Sequence, residues 1–301
     1  MLKGRLRVDP RARVALDWVA LAALVAVSIG IEEAEPFHQE VTKMTDLRYE
    51  MSRVQPQSVP SWSVVVMAAS PLLAVAAWCF AAVPPTRRGT EVHAAVRSLL
   101  ASCIITHVLT NVMKVTLGRL RPDFFFRCWP DGEATYGSDG VAVCSGDADL
   151  IRNGRKSFPS GHSSLASAGL TWLSWYLMGR ANPLDSATRG QGGRVPLLAL
   201  VLAPTFGAML VAATRVRDHW HHPSDVIAGY FMGVFLSLAA YVAYFPVPWS
   251  HSPDTAGAGR HRAAAGGDGA SSGDAGSVSM QRFDAAGVPG GALGPPEGSM
   301  A

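Results

Sequence analysis

Lys114 is followed seven residues later by Arg121-Pro122; Pro159-Ser160-Gly161-His162 comes next, and then Arg215, His221 and Asp225. Lys114, Arg121 and Arg215 are three cations suited to holding a phosphate group. Ser160, Gly161 and His162 read as a helix start, where unpaired N–H groups and the positive dipole end favour an anion. Gly161 permits close backbone approach there. His221 and Asp225 are four residues apart, with Pro223 between them, a residue suited to a first helical turn. That spacing lets a carboxylate hold one imidazole nitrogen and set its tautomer, leaving the other nitrogen as nucleophile or base. The chemistry these residue types can perform together is phosphoryl transfer.

Each piece also has a plainer reading. Lys114 can snorkel to a membrane interface, and Pro-Ser-Gly-His can be a simple cap. Arg217 and Asp218 read as a surface ion pair, and Asp123 as a cap or loop residue. His219, His221, His222 and Asp225 have ligand types for a metal. Against a metal, no cysteine or Glu accompanies them, and three nearby cations repel a divalent ion.

The elements that must position these residues are membrane helices. The 301-residue chain is 49% hydrophobic and only 16% charged, against about 25% charged in soluble domains. Crossing a ~30 Å hydrocarbon core takes ~20 mostly apolar residues. Trp62–Val83 and Val226–Val247 meet this without a charge, and Pro196–Ala213 nearly so. Val14–Ile31, Val92–Leu117 and Gly161–Met178 complete six candidate spans, so the fold class is an all-α, six-helix membrane bundle over 14–247. Residues 1–13 form a basic leader, which reads as cytosolic rather than as part of a cleaved signal peptide, because no small-x-small site precedes Glu32. Residues 248–301 are Gly/Ala/Ser-rich and read as a disordered cytosolic tail. With the N-terminus inside, the inner segments, 84–91 among them, carry 13 lysines and arginines against nine outside. That balance places both termini in the cytosol. Alternation of spans then brings the three motifs to the outer face. Cys128 and Cys144 share the large outer loop, in an oxidising compartment where a bridge is expected. Cys79 and Cys103 fall within spans. The net charge of +3 gives no case for nucleic acid as a partner.

The combined pattern resembles the signature of the type 2 phosphatidic acid phosphatase and vanadium haloperoxidase superfamily. It is carried by KVTLGRLRP at 114–122, PSGH at 159–162 and TRVRDHWHHPSD at 214–225, with Thr214 where the family usually has serine. GRLRPDFFFRC at 118–128, PSGHSSLASAGLTWLSWYL at 159–177 and EPFHQE…TDLRYE at 35–50 are similar to eukaryotic lipid phosphate phosphatases. The resemblance covers roughly 14–247. It implies a six-helix bundle and hydrolysis of lipid phosphates, phosphatidate foremost. It implies that Lys114, Arg121, Arg215, Ser160 and the Gly161 N–H bind phosphate. His221 would become phosphohistidine, Asp225 would orient it, and His162 would protonate the leaving alkoxide. It implies no metal or other cofactor, and inhibition by vanadate. Six spans argue against a soluble haloperoxidase, and the retained motif residues argue against a non-enzymatic relative. Transfer to an alcohol instead of water stays open, as does the choice among phosphatidate, lysophosphatidate, diacylglycerol pyrophosphate, sphingoid phosphates and isoprenyl pyrophosphates.

Overall fold

A computed structural model describes residues 9–41, 47–183 and 193–249. The expected tail therefore lies outside the described residues from 250 onward, as does the leader before 9. The described residues form helices and loops with one isolated bridge, Tyr136 to Ala142, and no strand.

Helix α1 (Pro10–Glu33) starts at Asp9, whose carboxylate accepts from the Arg11 N–H at 2.9 Å. Proline at the first position costs no bond there. The second expected span is broken: α2 (Ser61–Ala69) and α3 (Pro71–Ala82) meet at Ser70. Pro71 has no N–H to continue the ladder, which hydropathy alone does not register. Helix α4 (Pro85–Leu117) is longer than its apolar run. The segment 84–91, read as an inner loop, is its first turns from Pro85 onward. At about 1.5 Å per residue, α4 is ~50 Å long and outreaches a bilayer core. It stops at Gly118, whose φ of +56° suits glycine. A Cβ at 118 would also strike the Phe37 carbonyl oxygen.

The loop after α4 carries two short helices, α5 (Phe124–Cys128) and α6 (Ala148–Gly154). Cys128 and Cys144 are joined by a disulfide, with their Cα atoms 4.4 Å apart. Helix α7 (Gly161–Ala181) is capped by Ser160. Helices α8 (Arg194–Arg217) and α9 (Pro223–Tyr244) complete the bundle.

Helix α7 is the hub, packed against α9, α8, α4 and α2. Ala166, Ala168, Trp172 and Tyr176 along it are fully buried. Among the described residues, five helical segments are long and apolar enough to cross a membrane: α1, α2 with α3, α4, α8 and α9. Helix α7 is long enough but not apolar enough, a departure from six apolar spans. Its neighbours shield it from lipid, so its serines and small residues suit close helix contact instead. Ser102 donates to the Ala168 carbonyl at 2.9 Å, and Trp172 donates to Ser98 at 2.8 Å. The outer helices instead present Leu16, Val19, Leu73, Phe80, Leu200, Leu210 and Phe235. Such an apolar belt belongs in a bilayer.

Candidate active site

Six of the expected residues line one cavity. Lys114, Arg121, Gly161, His162, Arg215 and His221 surround a space of about 410 Å³, with Asn153, Trp220 and Glu32. Val64, Val65 and Leu165 add apolar surface to its lining. Three of them arrive by a helix terminus: Lys114 in the last turn of α4, His162 in the first turn of α7, Arg215 in the last turn of α8. His221 sits in the short connection before α9.

Arg121 is buried, and its guanidinium donates to the carbonyl oxygens of Asn153 (3.1 Å), Trp220 (3.4 Å) and Lys156 (3.5 Å). It also lies over the Trp220 ring, 5.6 Å from its centroid. Burial and the nearby Arg127 push its pKa down to about 10, which leaves it charged at neutral pH. Gly161 matters through Lys114: a Cβ there would stand 3.1 Å from the lysine Nζ. Glycine thus lets the ammonium approach the start of α7.

His221 is buried, and its Nδ1 lies 2.8 Å from the Ser157 carbonyl oxygen. A carbonyl only accepts, so Nδ1 carries the proton and Nε2 keeps its lone pair. Burial and the positive Arg121 push the pKa of His221 down to about 3, so the ring is neutral at physiological pH. Asp225 does not hold the ring as directly as the i, i+4 spacing suggests. Its Oδ2 is 3.7 Å from Nδ1. The carboxylate instead accepts from Ser157 Oγ (2.6 Å), Arg119 Nη1 (2.6 Å) and the His222 N–H (3.0 Å). Asp225 therefore fixes Ser157, and Ser157 fixes the histidine.

Ser160 is fully buried and does not line the cavity; its hydroxyl serves Ser163, and its N–H donates to the Asp225 carbonyl at 3.0 Å. His162 lines the cavity with Nε2 buried and unpartnered, while a backbone hydrogen bond ties the ring to Val59. The three histidines near α9 are held apart: His219 faces the Ser52 carbonyl, His221 that of Ser157, and His222 that of Leu120.

One sequence reading is corrected here. Asp218 is not a surface residue: it is 1% exposed and accepts from Arg215 Nη2 at 3.2 Å and from the Ser58 N–H at 2.7 Å. Burial alone would raise its pKa, but hydrogen bonds from Ser58 and the charge of Arg215 bring it below the usual range. Asp123 stands at the N-cap position of α5, in line with its reading as a cap or loop residue; its side chain makes no capping bond but is buried and accepts from Arg127 at 2.8 Å.

Residues 95–249 match the PAP2 superfamily. The chain is 40% identical over 238 residues to Lipid phosphate phosphatase 1 of Arabidopsis thaliana, covering 77% of this chain and 68% of that protein. Lipid phosphate phosphatase 2 of the same plant is 38% identical, covering 77% and 78%. Probable diacylglycerol pyrophosphate phosphatase 1 of Schizosaccharomyces pombe is 31% identical over 159 residues, covering 52% and 55%. No solved structure matches the chain.

The chain belongs to the PAP2 superfamily.

Within this PAP2 protein, several residues of the site escaped sequence reasoning. Ser157, Arg119, Asp218, Gln57 and Trp220 all touch motif residues. Gln57 accepts from Arg215 Nη1 at 2.9 Å, so the strand of chain before α2 clamps the last turn of α8. Its signal was faint: Arg119 and Ser157 lie within or just before the motif strings, but nothing local marks Gln57.

Proposed function

We propose that the protein is a metal-independent, multi-pass membrane phosphatase of lipid phosphomonoesters or pyrophosphates, with phosphatidate as substrate and phosphohistidine as intermediate. The observation that carries this reading is the convergence of Lys114, Arg121, Arg215, His162 and His221 on one cavity whose lining also includes the apolar Val64, Val65 and Leu165. The relatives' names support the substrate class. Helix α7 is taken as the sixth crossing, since its 21 residues reach about 32 Å. Both termini then face the cytosol and the cavity faces the lumen or exterior, in keeping with the loop charges.

The phosphate enters between the three cations, which stabilise charge spread over its equatorial oxygens. His221 Nε2 attacks phosphorus while the bond to the lipid oxygen breaks, and His162 gives that oxygen its proton. The departing diacylglycerol remains beside Val64, Val65 and Leu165. Water then attacks the phosphohistidine, giving up a proton to His162, and His221 leaves as neutral imidazole when phosphate is released.

The test is phosphate release by purified full-length protein in magnesium-free mixed micelles. Phosphatidate, lysophosphatidate, diacylglycerol pyrophosphate, a sphingoid phosphate and an isoprenyl pyrophosphate form the panel. Turnover of phosphatidate that resists chelators and is blocked by orthovanadate is expected. Turnover of none of them, or a requirement for a divalent ion, overturns the reading.

A further inference from the structure

The cavity continues beyond its phosphate-binding end. His107 lines it, beside Val64, Val65 and Leu165. His107 precedes Lys114 by two helical turns, about 10 Å along α4. Asn111 stands between them on the same face and is buried. It lines an adjoining cavity of about 340 Å³ that shares Lys114, Glu32 and Asn153 with the first.

The side chains of His107 and Asn111 are matched. Asn111 Nδ2 lies 3.3 Å from His107 Nε2 and 3.5 Å from Ser28 Oγ of α1. An amide nitrogen only donates, so His107 Nε2 accepts and the ring proton sits on Nδ1. His107 thereby carries a hydrogen-bond donor on a ring that lines the cavity. Polar groups this far along a span are costly and mark a ligand path by default. The phosphoryl chemistry makes no use of this one.

We propose that His107, held by Asn111, donates a hydrogen bond to an ester carbonyl of a glycerolipid substrate, and so selects acyl esters of glycerol phosphate. This rests on the phosphatase reading above and deepens it. The ester carbonyls are a few bonds from phosphorus, a reach that suits a donor one to two turns from the phosphate-binding lysine. The acyl chains then pass along Val64, Val65 and Leu165. A phosphate ester lacking carbonyls leaves that donor unsatisfied once the lipid displaces water from it, which penalises its binding.

The experiment compares dioleoyl phosphatidate, its dioleyl ether analogue and p-nitrophenyl phosphate in mixed micelles, using the full chain. The wild type is expected to favour ester over ether by about tenfold in kcat/KM, the scale of one neutral hydrogen bond. His107→Leu should bring that ratio to about one, chiefly through KM for the ester. His107→Gln keeps an N–H donor and should restore part of the preference. Equal use of ester and ether by the wild type overturns the inference. So does an equal loss of all three substrates in His107→Leu, which marks a purely structural residue. If the wild type hydrolyses neither lipid, the phosphatase reading itself fails and the inference falls with it.

Discussion

At the end of the bundle away from the cavity, every buried cation meets a carboxylate. Arg97 pairs with Asp17 at 2.7 Å and lies over the Tyr244 ring, whose hydroxyl bonds the same carboxylate. Arg180 pairs with Glu91, which also accepts from Tyr176 at 3.0 Å. Of the two arginines that line the cavity, Arg121 is held by carbonyl oxygens and the Trp220 ring, and only Arg215 has a carboxylate, that of Asp218. The same residue types thus do different work. A cation matched by a carboxylate joins helices; a cation held by carbonyl dipoles keeps its orientation while its charge stays available to an anion.

The sharpest way to probe the cavity end is its proposed nucleophile. His221→Ala should lower turnover of lipid and aryl phosphates by ~10⁴-fold or more, and no acid-labile phosphoenzyme should form. His162→Ala should separate the substrates: a loss of ~10²–10⁴-fold for the lipid, and much less for an aryl phosphate whose leaving group needs little protonation. Equal losses would reverse the assignment of acid and nucleophile.

The cations give the direct contrast. Arg121→Gln should cost ~10²–10³-fold in kcat/KM with a modest change in thermal stability. Arg180→Met should do the opposite, leaving Glu91 buried without its partner at a cost of about 3 kcal/mol. Thermal unfolding in detergent and turnover per folded molecule report the two effects. Replacing Arg180 and Glu91 together by Met and Leu should recover most of that stability. If Arg180→Met instead slows turnover at unchanged stability, the contrast between the two ends collapses.

The smallest effect concerns pH. His221 has a pKa near 3 in the folded protein, against 6.5 for a free histidine. Between those values the unfolded chain binds the extra proton, so stability rises with pH there. The contribution is fully present above about 6.5 and is lost as pH falls toward 3. His221→Gln removes it, so the stability of wild type relative to that variant should drop by about 2 kcal/mol between pH 7.5 and 5.0. An unchanged difference would mean the ring is not buried beside Arg121 as described.

Much of this architecture could be read from periodicity and spacing, because both report local geometry. The ends of α4, α7 and α8, and hence the meeting of Lys114, His162 and Arg215, follow from counting apolar residues. What could not be read was which oxygen each side chain finds. Asp225 was assigned to His221 because i, i+4 is the only relation a sequence displays; the Ser157 carbonyl that takes Nδ1 is 64 residues away. Asp218 looked solvated because Arg217 adjoins it, whereas Ser58, 160 residues earlier, buries it. Helix α7 misled in the other direction. A hydropathy scan sees a weak span, since it assumes lipid around a helix that other helices enclose.

Gly229 and Gly233 form a seam along which α9 lies directly on α7: a Cβ at 229 would come within 2.6 Å of the Ser160 carbonyl, and one at 233 would strike the Ser164 carbonyl. Asp225 and His162 therefore ride on two helices that cannot slide past one another. Hydrophobic mismatch tilts helices by small, cheap adjustments. In a thicker or thinner bilayer such tilting falls to the peripheral α1 and to α2 with α3, while the α7–α9 pair moves as one body. The lipid composition around the protein then governs how readily a substrate arrives and how far its chains must bend, and leaves the spacing of the reacting groups as it was.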